Sequence, residues 1–314
     1  MSKGNMIEPS VAAIVLNWRT PELTSQCVES LLTSDFDGVL SIIVVDNNSE
    51  DGSVDLLKER FGNRIAVIEN KENLGYAGGM NVGISRAMEI GAKYVFLLNS
   101  DIKLDSCALA ELYRAAEEHP DGVFFGPRIF DIGKPDDQWF IGGRWDWLQG
   151  TIRIVRGYAN KKLPLDPWKI EFVNGAAMFA RMSCIQNIGM FDERFGLYFE
   201  ESDLCSRAAK AGYTLWHVPT ASVYHQCGAS MSKAIDKTSR DIGQYYRTRN
   251  RLLWGKKNLV GLRSVVFWAN VAVRFPLKYL SLLLSGQTSK RRGFEEGFRD
   301  FVMGRFGMRN FLEE

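Results

Sequence analysis

The sequence predicts an α/β protein in which a mostly parallel, doubly wound sheet is followed by a basic helical extension. Three observations predict this fold. Short apolar runs alternate with helix signals between residues 10 and 100, which is typical of βαβ units in a parallel sheet. Three of these runs end abruptly in polar side chains, at Asn17, Asp46 and Asp101. Near the carboxyl end, the segment 247–292 holds eleven basic residues and no acidic residue.

The composition of the 314-residue chain is that of an ordinary globular protein, with 46% apolar and 24% charged residues. Its net charge of +2 hides an asymmetry, because the residues outside 247–292 include 28 basic and 37 acidic side chains. Such an asymmetry predicts that the basic segment meets an anionic surface. The five cysteines are widely spaced and form no C-x-x-C pair, which favours a reducing cytosol over a disulfide framework or a zinc site. Residues 1–10 lack the apolar run of a signal peptide.

The elements of the predicted sheet follow one another in a regular order. A first strand over 11–16 precedes Thr20-Pro21-Glu22, which predicts a helix start because proline fits the first helical position and an acid fits the first turn. Each predicted strand is a short, β-prone apolar run, as expected for strands that are buried on both faces. The further elements are a strand over 41–45, a helix over 54–61, a strand over 65–68, a glycine-rich segment at 75–83 that continues as a helix to about residue 90, and a strand over 94–98.

Polar side chains at the ends of three strands predict a ligand site. In an open α/β sheet, ligands bind outside the carboxyl ends of the strands, and Asn17, Asp46 and Asp101 would share that edge. Asp101 can hold a divalent cation that in turn holds phosphates, although an aspartate here can also cap the next helix. His225, which ends another strand-like run, can ligate the same kind of cation. No G-x-G-x-x-G follows the first strand and no P-loop motif occurs, which disfavours a dinucleotide-binding domain and a P-loop NTPase.

The segment 124–168 differs in kind, since it combines large aromatic residues with glycine and polar residues. We predict irregular strands and loops that lie over the active edge of the sheet. The aromatic side chains can stack on sugar rings or form a satellite core, and the sequence leaves both alternatives open for Trp139, Trp145, Trp147, Tyr158 and Trp168.

A run of acidic residues opens a predicted helix after residue 199. Glu200, Glu201 and Asp203 stand in its first turn, where the helix dipole favours acids. The dipole explains one or two of them, and three beside an aromatic run indicate a site in which one carboxylate is a general base. Glu200 and Asp203 share a helical face whereas Glu201 points elsewhere, so we expect Glu200 and Glu201 to have different tasks.

Taken together, these stretches resemble those of the family 2 glycosyltransferases, the inverting GT-A group, and within it the bacterial rhamnosyltransferase-like branch. The resemblance covers roughly residues 10–250 and rests on the number and order of the motifs. It implies a GT-A catalytic domain over 1–240, with a nucleotide-sugar half at about 10–125 and an acceptor and catalytic half at about 126–240, and a basic amphipathic helical region over 241–314. The matching stretches are Ile14 to Trp18, Val44 to Ser49, Glu72 to Asn81, Leu97 to Asp101, Asn174 to Ala176, Phe191 to Leu204, and His225.

The resemblance also implies roles for individual residues. Glu201 would be the catalytic base, with Glu200 as its competitor, while Asp101 and His225 would hold Mg²⁺ or Mn²⁺ and Arg249 would neutralise the leaving diphosphate. Two positions depart from the family pattern, because Asn99 replaces the first aspartate of the D-x-D motif and Glu201 replaces the usual aspartate. The other implied contacts are Asn17, Asp46, Asn48, Asn73, Gly75, Asn99 and Asp101 for the nucleotide sugar, and Trp139, Gly175, Ala176 and Asp203 for the acceptor or sugar pocket.

The function that the resemblance implies is the inverting transfer of a sugar to a hydroxyl. The branch favours L-rhamnose from dTDP-L-rhamnose, with a UDP-galactofuranose or UDP-hexose donor as the alternative. The expected acceptor is a lipid-linked or cell-envelope glycan, such as one carried by a polyprenyl diphosphate. Two other classes are rivals. A nucleotidyltransferase would need a glycine- and arginine-rich loop after the first strand, which residues 17–21 do not form, and a non-catalytic sugar-binding protein would not need the metal-binding and acidic residues together.

The apolar segment 262–284 predicts a helix that lies on a membrane. Its charged residues disfavour a spanning helix, and Pro276 is expected to kink or divide it. An amphipathic helix in the interface of an anionic membrane fits better, at the inner face of the cell membrane in a bacterium. The alternatives are a helix docked on the catalytic domain or on a homodimer partner, and the apolar face argues against nucleic-acid binding. On a wheel of about 100° per residue, one narrow arc at about 0°, 340°, 20° and 60° holds Arg263, Asn270, Arg274 and Lys278.

Overall fold

The computed structural model of the protein describes residues 9–146, 149, 151–158, 164–226 and 241–309. The side chains of residues 134–139 and 157–158 lie outside this description. The predictions for the side chains of Trp139 and Tyr158, and for Trp147, therefore fall outside the described residues.

Strands and helices alternate through the first part of the chain, and helices alone form its last part. The strands are β1 (Val11–Asn17), β2 (Leu40–Asp46), β3 (Ala66–Glu69), β4 (Tyr94–Asn99), β5 (Ile102–Leu104), β6 (Gly122–Asp131), β7 (Lys134–Phe140), β8 (Gly143–Asp146), β9 (Thr151–Ile154), β10 (Gly157–Tyr158), β11 (Trp168–Ile170), β12 (Ala177–Arg181) and β13 (Thr214–His225). The α-helices are α1 (Pro21–Leu32), α2 (Ser53–Phe61), α3 (Gly75–Glu89), α4 (Ala108–Glu118), α5 (Met182–Ile188), α6 (Glu200–Lys210), α7 (Ile242–Asn258), α8 (Gly261–Leu284) and α9 (Thr288–Val302).

The large sheet has the order β10-β7-β6-β12-β4-β1-β2-β3, and β13 pairs with β6, β5 and β11. The pairs β3–β2, β2–β1 and β1–β4 are parallel, which confirms the predicted α/β fold and brings the carboxyl ends of β1, β2 and β4 to one edge. Beyond β4 the sheet departs from the predicted parallel arrangement, because β12 runs antiparallel to both β4 and β6. The chain between β6 and β12 returns through strands and not through a crossover helix, and only a crossover would keep neighbouring strands parallel.

Glycines in α3 let this helix pack closely on the parallel strands. A Cβ at Gly79 would lie 2.5 Å from Leu16 Cδ1, and a Cβ at Gly83 would lie 2.3 Å from Ile14 Cγ2. Both distances are too short for a side chain. The glycine-rich segment 75–83 is therefore the first half of the helix itself, where the prediction had a glycine-rich segment leading into a helix.

The segment 124–168 contributes to the large sheet and to a satellite core. Strand β6 carries buried Phe124 and Phe125 into the sheet, whereas β8 and β9 pair with each other as a two-stranded sheet, with one antiparallel bridge from Gly143 to Phe172. Trp145 of β8 stacks on Trp254 of α7, with ring centroids 4.4 Å apart. Trp168 packs on buried His217, and burial lowers the pKa of His217 to about 3. For Trp145 and Trp168 the structure thus favours packing within the protein.

The three helices α7, α8 and α9 pack on one another and on α6. Gly293 and Gly297 of α9 allow a close approach to α7, since a Cβ at Gly293 would lie 2.4 Å from the backbone oxygen of Asp241, just before α7, and a Cβ at Gly297 would lie 2.4 Å from that of Tyr245. Helix α8 is continuous through Pro276 and buries Phe267, Val271 and Phe275 along one face. The predicted helix is therefore present and is not divided. None of the helices in the described ranges combines the length and hydropathy that crossing a bilayer would require.

Candidate active site

The carboxyl ends of β1 and β2 form a closed hydrogen-bond network. Asn17 Nδ2 donates to Asp46 Oδ1 at 2.6 Å, and Asn17 Oδ1 accepts from Thr24 Oγ1 at 2.6 Å. Asp46 also accepts from the Ser49 hydroxyl at 2.6 Å and from the Ser49 N–H at 2.9 Å. All four side chains are buried. The structure brings Asn17 and Asp46 together, and their mutual hydrogen bonds fix the shape of this edge.

A second network links the end of β2 to the start of α3. Asn47 Nδ2 donates to Asn73 Oδ1 at 2.9 Å and to Gly75 O at 3.0 Å. Gly75 has a φ of 72°, and a Cβ there would lie 2.7 Å from Gly196 O, so this close approach requires glycine. Asn48 lies between the two networks with a left-handed φ of 59°. Asn73 and Gly75 are thus organised by Asn47, which the sequence did not single out.

Asp101 and His225 lie side by side beyond the end of β4. Strand β13 pairs with β5, so that His225 stands opposite Ile102, and His225 Nε2 lies 3.1 Å from Asp101 Oδ1. Both side chains are buried, and Asp101 Oδ1 has no aligned hydrogen-bond donor within the protein. A carboxylate and an imidazole are ligands that Mn²⁺ accepts, so the two residues fit a divalent cation that is completed by substrate and water. Within the described ranges, no group of three or more His, Cys, Asp and Glu side chains could hold a metal ion.

A short segment before β12 connects this corner to α6. The N–H of Asn99 donates to Ala176 O at 3.0 Å, and the hydroxyl of Tyr76 donates to Gly175 O at 2.5 Å. A Cβ on Gly175 would lie 3.3 Å from Tyr76 Oη and 3.4 Å from Glu201 Cβ. Gly175 and Ala176 therefore lie between Asp101 and the carboxylates of α6, and a larger residue at 175 would crowd the site.

Glu200 and Glu201 form a pair of carboxyl groups at the N-terminus of α6. Glu200 is buried and Glu201 is half-buried, and Oε2 of each side chain has no hydrogen-bond partner within the protein. Burial raises the pKa of Glu200 well above its ordinary value, and the charge of Glu201 raises it further. Burial also raises the pKa of Glu201, but hydrogen bonds from the backbone and from Glu200 oppose this rise. Both pKa values are therefore raised, and two adjoining carboxyl groups of this kind can supply an acid and a base.

The segment before α6 is held in a strained backbone conformation. Tyr198 and Phe199 have φ values of 65° and 73°, in the left-handed region that costs free energy for residues other than glycine. Asn250 of α7 donates its side-chain amide to the carbonyls of Phe195, Leu197 and Tyr198 at 2.7, 2.7 and 2.8 Å. These hydrogen bonds hold the loop in this conformation, and they fix the direction in which α6 begins. Backbone strain of this kind clusters at functional sites.

The position of Arg249 corrects the role that the resemblance implies. Its guanidinium is buried, and all five of its N–H groups donate within the protein. The acceptors are Asn250 Oδ1 at 2.9 Å, Tyr245 Oη at 3.2 Å, Gly307 O at 2.8 Å, Arg194 O at 3.2 Å and Phe195 O at 2.8 Å. No donor remains for a diphosphate. Arg249 holds the loop that leads into α6.

Asp203 also lies outside the pocket in which it is expected. Its carboxylate is fully buried and accepts from Arg207 Nε at 2.8 Å, Lys257 Nζ at 2.8 Å and Asn258 Nδ2 at 2.9 Å. The side chain ties α6 to α7 and presents no atom to an acceptor.

Arg247 is the arginine of α7 that contacts Tyr198, two residues before Glu200. It is exposed, its Nη2 donates to Tyr198 Oη at 3.1 Å, and its Cζ lies 4.5 Å from the centre of the Tyr198 ring. Burial raises the pKa of Tyr198, Arg247 opposes the rise, and Glu200 and Glu201 add to it, so the charges of the arginine and of the acids both act on Tyr198. Two residues apart on a helix means about 200° apart. The sequence therefore predicts that Arg247 and Arg249 lie on different faces of the helix, but it does not predict which face points toward the site.

The chain is similar in sequence to glycosyltransferases. The family model described as Glycosyl transferase family 2 matches residues 10–189, more than half of the chain. An N-acetylglucosaminyl-diphospho-decaprenol L-rhamnosyltransferase of Mycobacterium tuberculosis is 27% identical over 207 residues, and the alignment covers 59% of this chain and 66% of the relative's own length. The low-salt glycan biosynthesis hexosyltransferase Agl10 of Haloferax volcanii is 25% identical over 95% of this chain and 89% of the relative. The galactofuranosyltransferase GlfT1 of Mycolicibacterium smegmatis is 26% identical over 77% of this chain and 82% of the relative.

A solved structure supports the fold. The mannosyltransferase PcManGT from Pyrobaculum calidifontis, solved with GDP-Man and Mn²⁺, superposes with a TM-score of 0.57 over 96% of this chain and 89% of its own. The sequence identity is 13%, so the likeness concerns the fold, which is the predicted GT-A fold.

Proposed function

The chain belongs to glycosyl transferase family 2, and we propose that it transfers a sugar from a nucleotide sugar to an acceptor hydroxyl with inversion at the anomeric carbon. Glu201 is the general base of this proposal. The single observation that carries it is the position of Glu201, whose half-buried side chain packs on Gly175. Gly175 is joined through Ala176 to Asn99, two residues before Asp101.

The proposed step moves one proton and exchanges one bond. The Glu201 carboxylate takes the proton of the acceptor hydroxyl, and the oxygen forms a bond to the anomeric carbon. The bond from that carbon to the nucleoside diphosphate breaks, and its electron pair leaves with the diphosphate on the opposite side. A positioned base contributes about 10²–10⁴-fold in rate. Burial raises the pKa of Glu200, which favours its neutral form, and a neutral neighbour would donate a hydrogen bond to the Glu201 carboxylate without repelling it.

Two further groups of the site act on the leaving diphosphate. Asp101 and His225 are the residues that would hold a divalent cation, Mg²⁺ or Mn²⁺, and such a cation stabilises negative charge on phosphate oxygens. Arg247 takes the role that Arg249 cannot, because Arg247 is exposed next to Tyr198 whereas every Arg249 donor is used within the protein.

The donor and acceptor are proposed from the relatives. The M. tuberculosis rhamnosyltransferase, by its name, transfers L-rhamnose to a diphospho-decaprenol-linked N-acetylglucosamine. We take dTDP-L-rhamnose as the first candidate donor and a polyprenyl-diphosphate-linked glycan as the acceptor. The likeness to the galactofuranosyltransferase favours UDP-galactofuranose as the second candidate donor. A lipid-linked acceptor also places the enzyme at the inner face of the cell membrane, with residues 1–240 as the catalytic domain and the basic segment 247–292 toward the anionic lipid.

A donor screen tests the proposal. Purified protein is incubated with dTDP-L-rhamnose, UDP-galactofuranose, UDP-hexoses and GDP-mannose, with Mn²⁺ or with EDTA, and the released nucleoside diphosphate is measured. We expect turnover with one donor, dTDP-L-rhamnose first, and loss of turnover with EDTA. A synthetic N-acetylglucosaminyl-diphospho-polyprenol is then added as acceptor, and product formation is followed by mass spectrometry. Nucleotide transfer to a sugar phosphate, in place of sugar transfer, would overturn the proposal in favour of a nucleotidyltransferase.

A further inference from the structure

Helix α8 has two apolar faces, and among the described residues one of them is covered and the other is exposed. The covered face holds Phe267, Val271, Phe275 and Leu282, which pack in one cluster with residues of α7 and α9. On a wheel of about 100° per residue with Arg263 at 0°, this face lies between about 40° and 120°. Docking of the helix on the rest of the protein, which the sequence left as an alternative, is thus present on this face. The docking leaves the opposite face of the helix unexplained.

The opposite face of α8 is exposed and entirely apolar. It spans about 180° to 320° on the same wheel, and no polar or charged side chain falls within this arc. Val273 and Leu277 at its centre are 62% and 61% exposed, and Leu284 at its end is 78% exposed. An exposed apolar stripe that runs the length of a helix marks an interaction surface in a protein of ordinary composition. The residues of this apolar face are Leu262, Val265, Val266, Ala269, Ala272, Val273, Pro276, Leu277, Leu280, Leu283 and Leu284.

The two edges of the apolar face carry the residue types found at a membrane surface. Arg263, Arg274 and Lys278 line one edge, at about 0° to 60°. Half-buried Trp268 and Tyr279 line the other edge, at about 140° to 160°. Basic side chains bind anionic lipid headgroups, and tryptophan and tyrosine favour the boundary between headgroups and acyl chains.

We infer that α8 lies in the surface of an anionic bilayer, with its apolar face among the acyl chains and its basic edge among the headgroups. The inference rests on the membrane location proposed above and assigns that location to one face of one helix. Charge complementarity selects this occupant, because exposed Arg263, Arg274 and Lys278 line one edge of the apolar face and α8 holds no acidic residue. In an antiparallel two-fold contact, a second copy of the chain would bring the same basic edge against itself, which disfavours that dimer.

Vesicle flotation of the full chain tests the inference, without donor or acceptor, so that its outcome is independent of sugar transfer. We expect the protein to float with vesicles that contain phosphatidylglycerol and to float less with phosphatidylcholine alone. The triple variant Val273→Ser/Leu277→Ser/Leu280→Ser should lower the partition coefficient by at least about tenfold. The double variant Arg274→Gln/Lys278→Gln should reduce binding to the anionic vesicles alone, by about fivefold for each charge removed.

The matched control is Val39→Ser/Leu165→Ser, which exchanges exposed apolar residues far from α8 in sequence, at 44% and 74% exposure, and should float like the unaltered protein. A triple variant that floats as well as the unaltered chain overturns the assignment to α8 while leaving the membrane location standing. An unaltered protein that floats with neither vesicle overturns both. Sedimentation velocity without lipid gives the other decisive outcome, since a dimer that the triple variant dissociates would assign the face to a second copy.

A measurement on the unaltered protein does not depend on how the variants fold. Vesicles that contain a phosphatidylglycerol with a photoreactive acyl chain are irradiated with the protein, and the adducts are located by mass spectrometry. Adducts within residues 262–284 support the inference, and adducts confined to the rest of the chain overturn it.

Discussion

The strand ends of β1 and β2 differ from the corner between Asp101 and α6 in how their buried polar groups are satisfied. Asn17, Asp46 and Ser49 satisfy one another at 2.6 to 3.2 Å. At the corner, Glu200 and Glu201 each bury an oxygen without a hydrogen-bond partner among the described residues, and the buried Asp101 Oδ1 lies 3.1 Å from His225 Nε2. A buried unsatisfied group costs about 1–3 kcal/mol. The first region is therefore a fully hydrogen-bonded scaffold. The second region is less stable because its buried oxygen atoms are left open, in our proposal for a cation and a proton.

The largest expected effect is the loss of kcat when the proposed base at the corner is replaced. Glu201→Gln keeps the size of the side chain but cannot take a proton, so kcat should fall by about 10²–10⁴-fold while donor binding is retained. The matched variant is Glu200→Gln, which keeps a neutral hydrogen-bond donor beside Glu201 and should retain kcat within about tenfold. Initial-rate kinetics at saturating donor, with calorimetry of donor binding, measure both. The reverse ranking would move the base to Glu200.

The next prediction compares two arginines of α7, one assigned to the scaffold and one to the site, by their effects on stability and on kcat. Arg249→Met removes five hydrogen bonds from the loop before α6 and leaves buried carbonyls without donors, so the free energy of unfolding should fall by about 3 kcal/mol. Arg247→Met, two residues away on the exposed face, should change stability by less than about 0.5 kcal/mol but lower kcat by at least about tenfold. Urea denaturation and turnover, measured on the same preparations, separate the two arginines. Equal stability losses would show that Arg247 is also part of the scaffold.

The sequence predicts a region well where local sequence patterns fix its structure, and poorly where long-range packing fixes it. The scaffold was predictable, because buried apolar runs fix β1, β2 and β4 and parallel strands bring their ends to one edge. The corner was predictable in part, since Asp101, His225 and Glu201 follow from motif order. Arg249 and Asp203 were assigned to the site because both residue types suit phosphate or sugar, yet the structure uses them to tie α6 and α7 together. That choice depends on which face of a helix is buried, and only long-range packing decides it.

The third prediction concerns the cation. Asp101→Asn removes the carboxylate, one of the two proposed metal ligands at the corner, while keeping the shape of the side chain. The variant should weaken Mn²⁺-dependent donor binding by at least about tenfold. Isothermal titration of donor with and without Mn²⁺ measures this change. Asp46→Asn is the matched control on the fully hydrogen-bonded scaffold, where the carboxylate is fully committed to Asn17 and Ser49, and it should leave the ratio between the two affinities unaltered. An Asp101→Asn variant with the same Mn²⁺ dependence as the unaltered protein would remove the cation from this corner.

The smallest effect is on stability and comes from the proton on Glu200. Its pKa is raised in the folded protein by burial and by the charge of Glu201. The stability associated with the protonated carboxyl is therefore fully present below the unfolded value of about 4.3 and is lost as pH rises through the folded value. Glu200→Gln cannot ionise, so its melting temperature should exceed that of the unaltered protein at alkaline pH, and the difference should shrink as pH falls toward about 4. Thermal melts across this range measure the gap. A gap that stays constant with pH would mean that Glu200 is ionised in the folded state, and the corner would then lose the neutral neighbour that leaves Glu201 free to accept a proton.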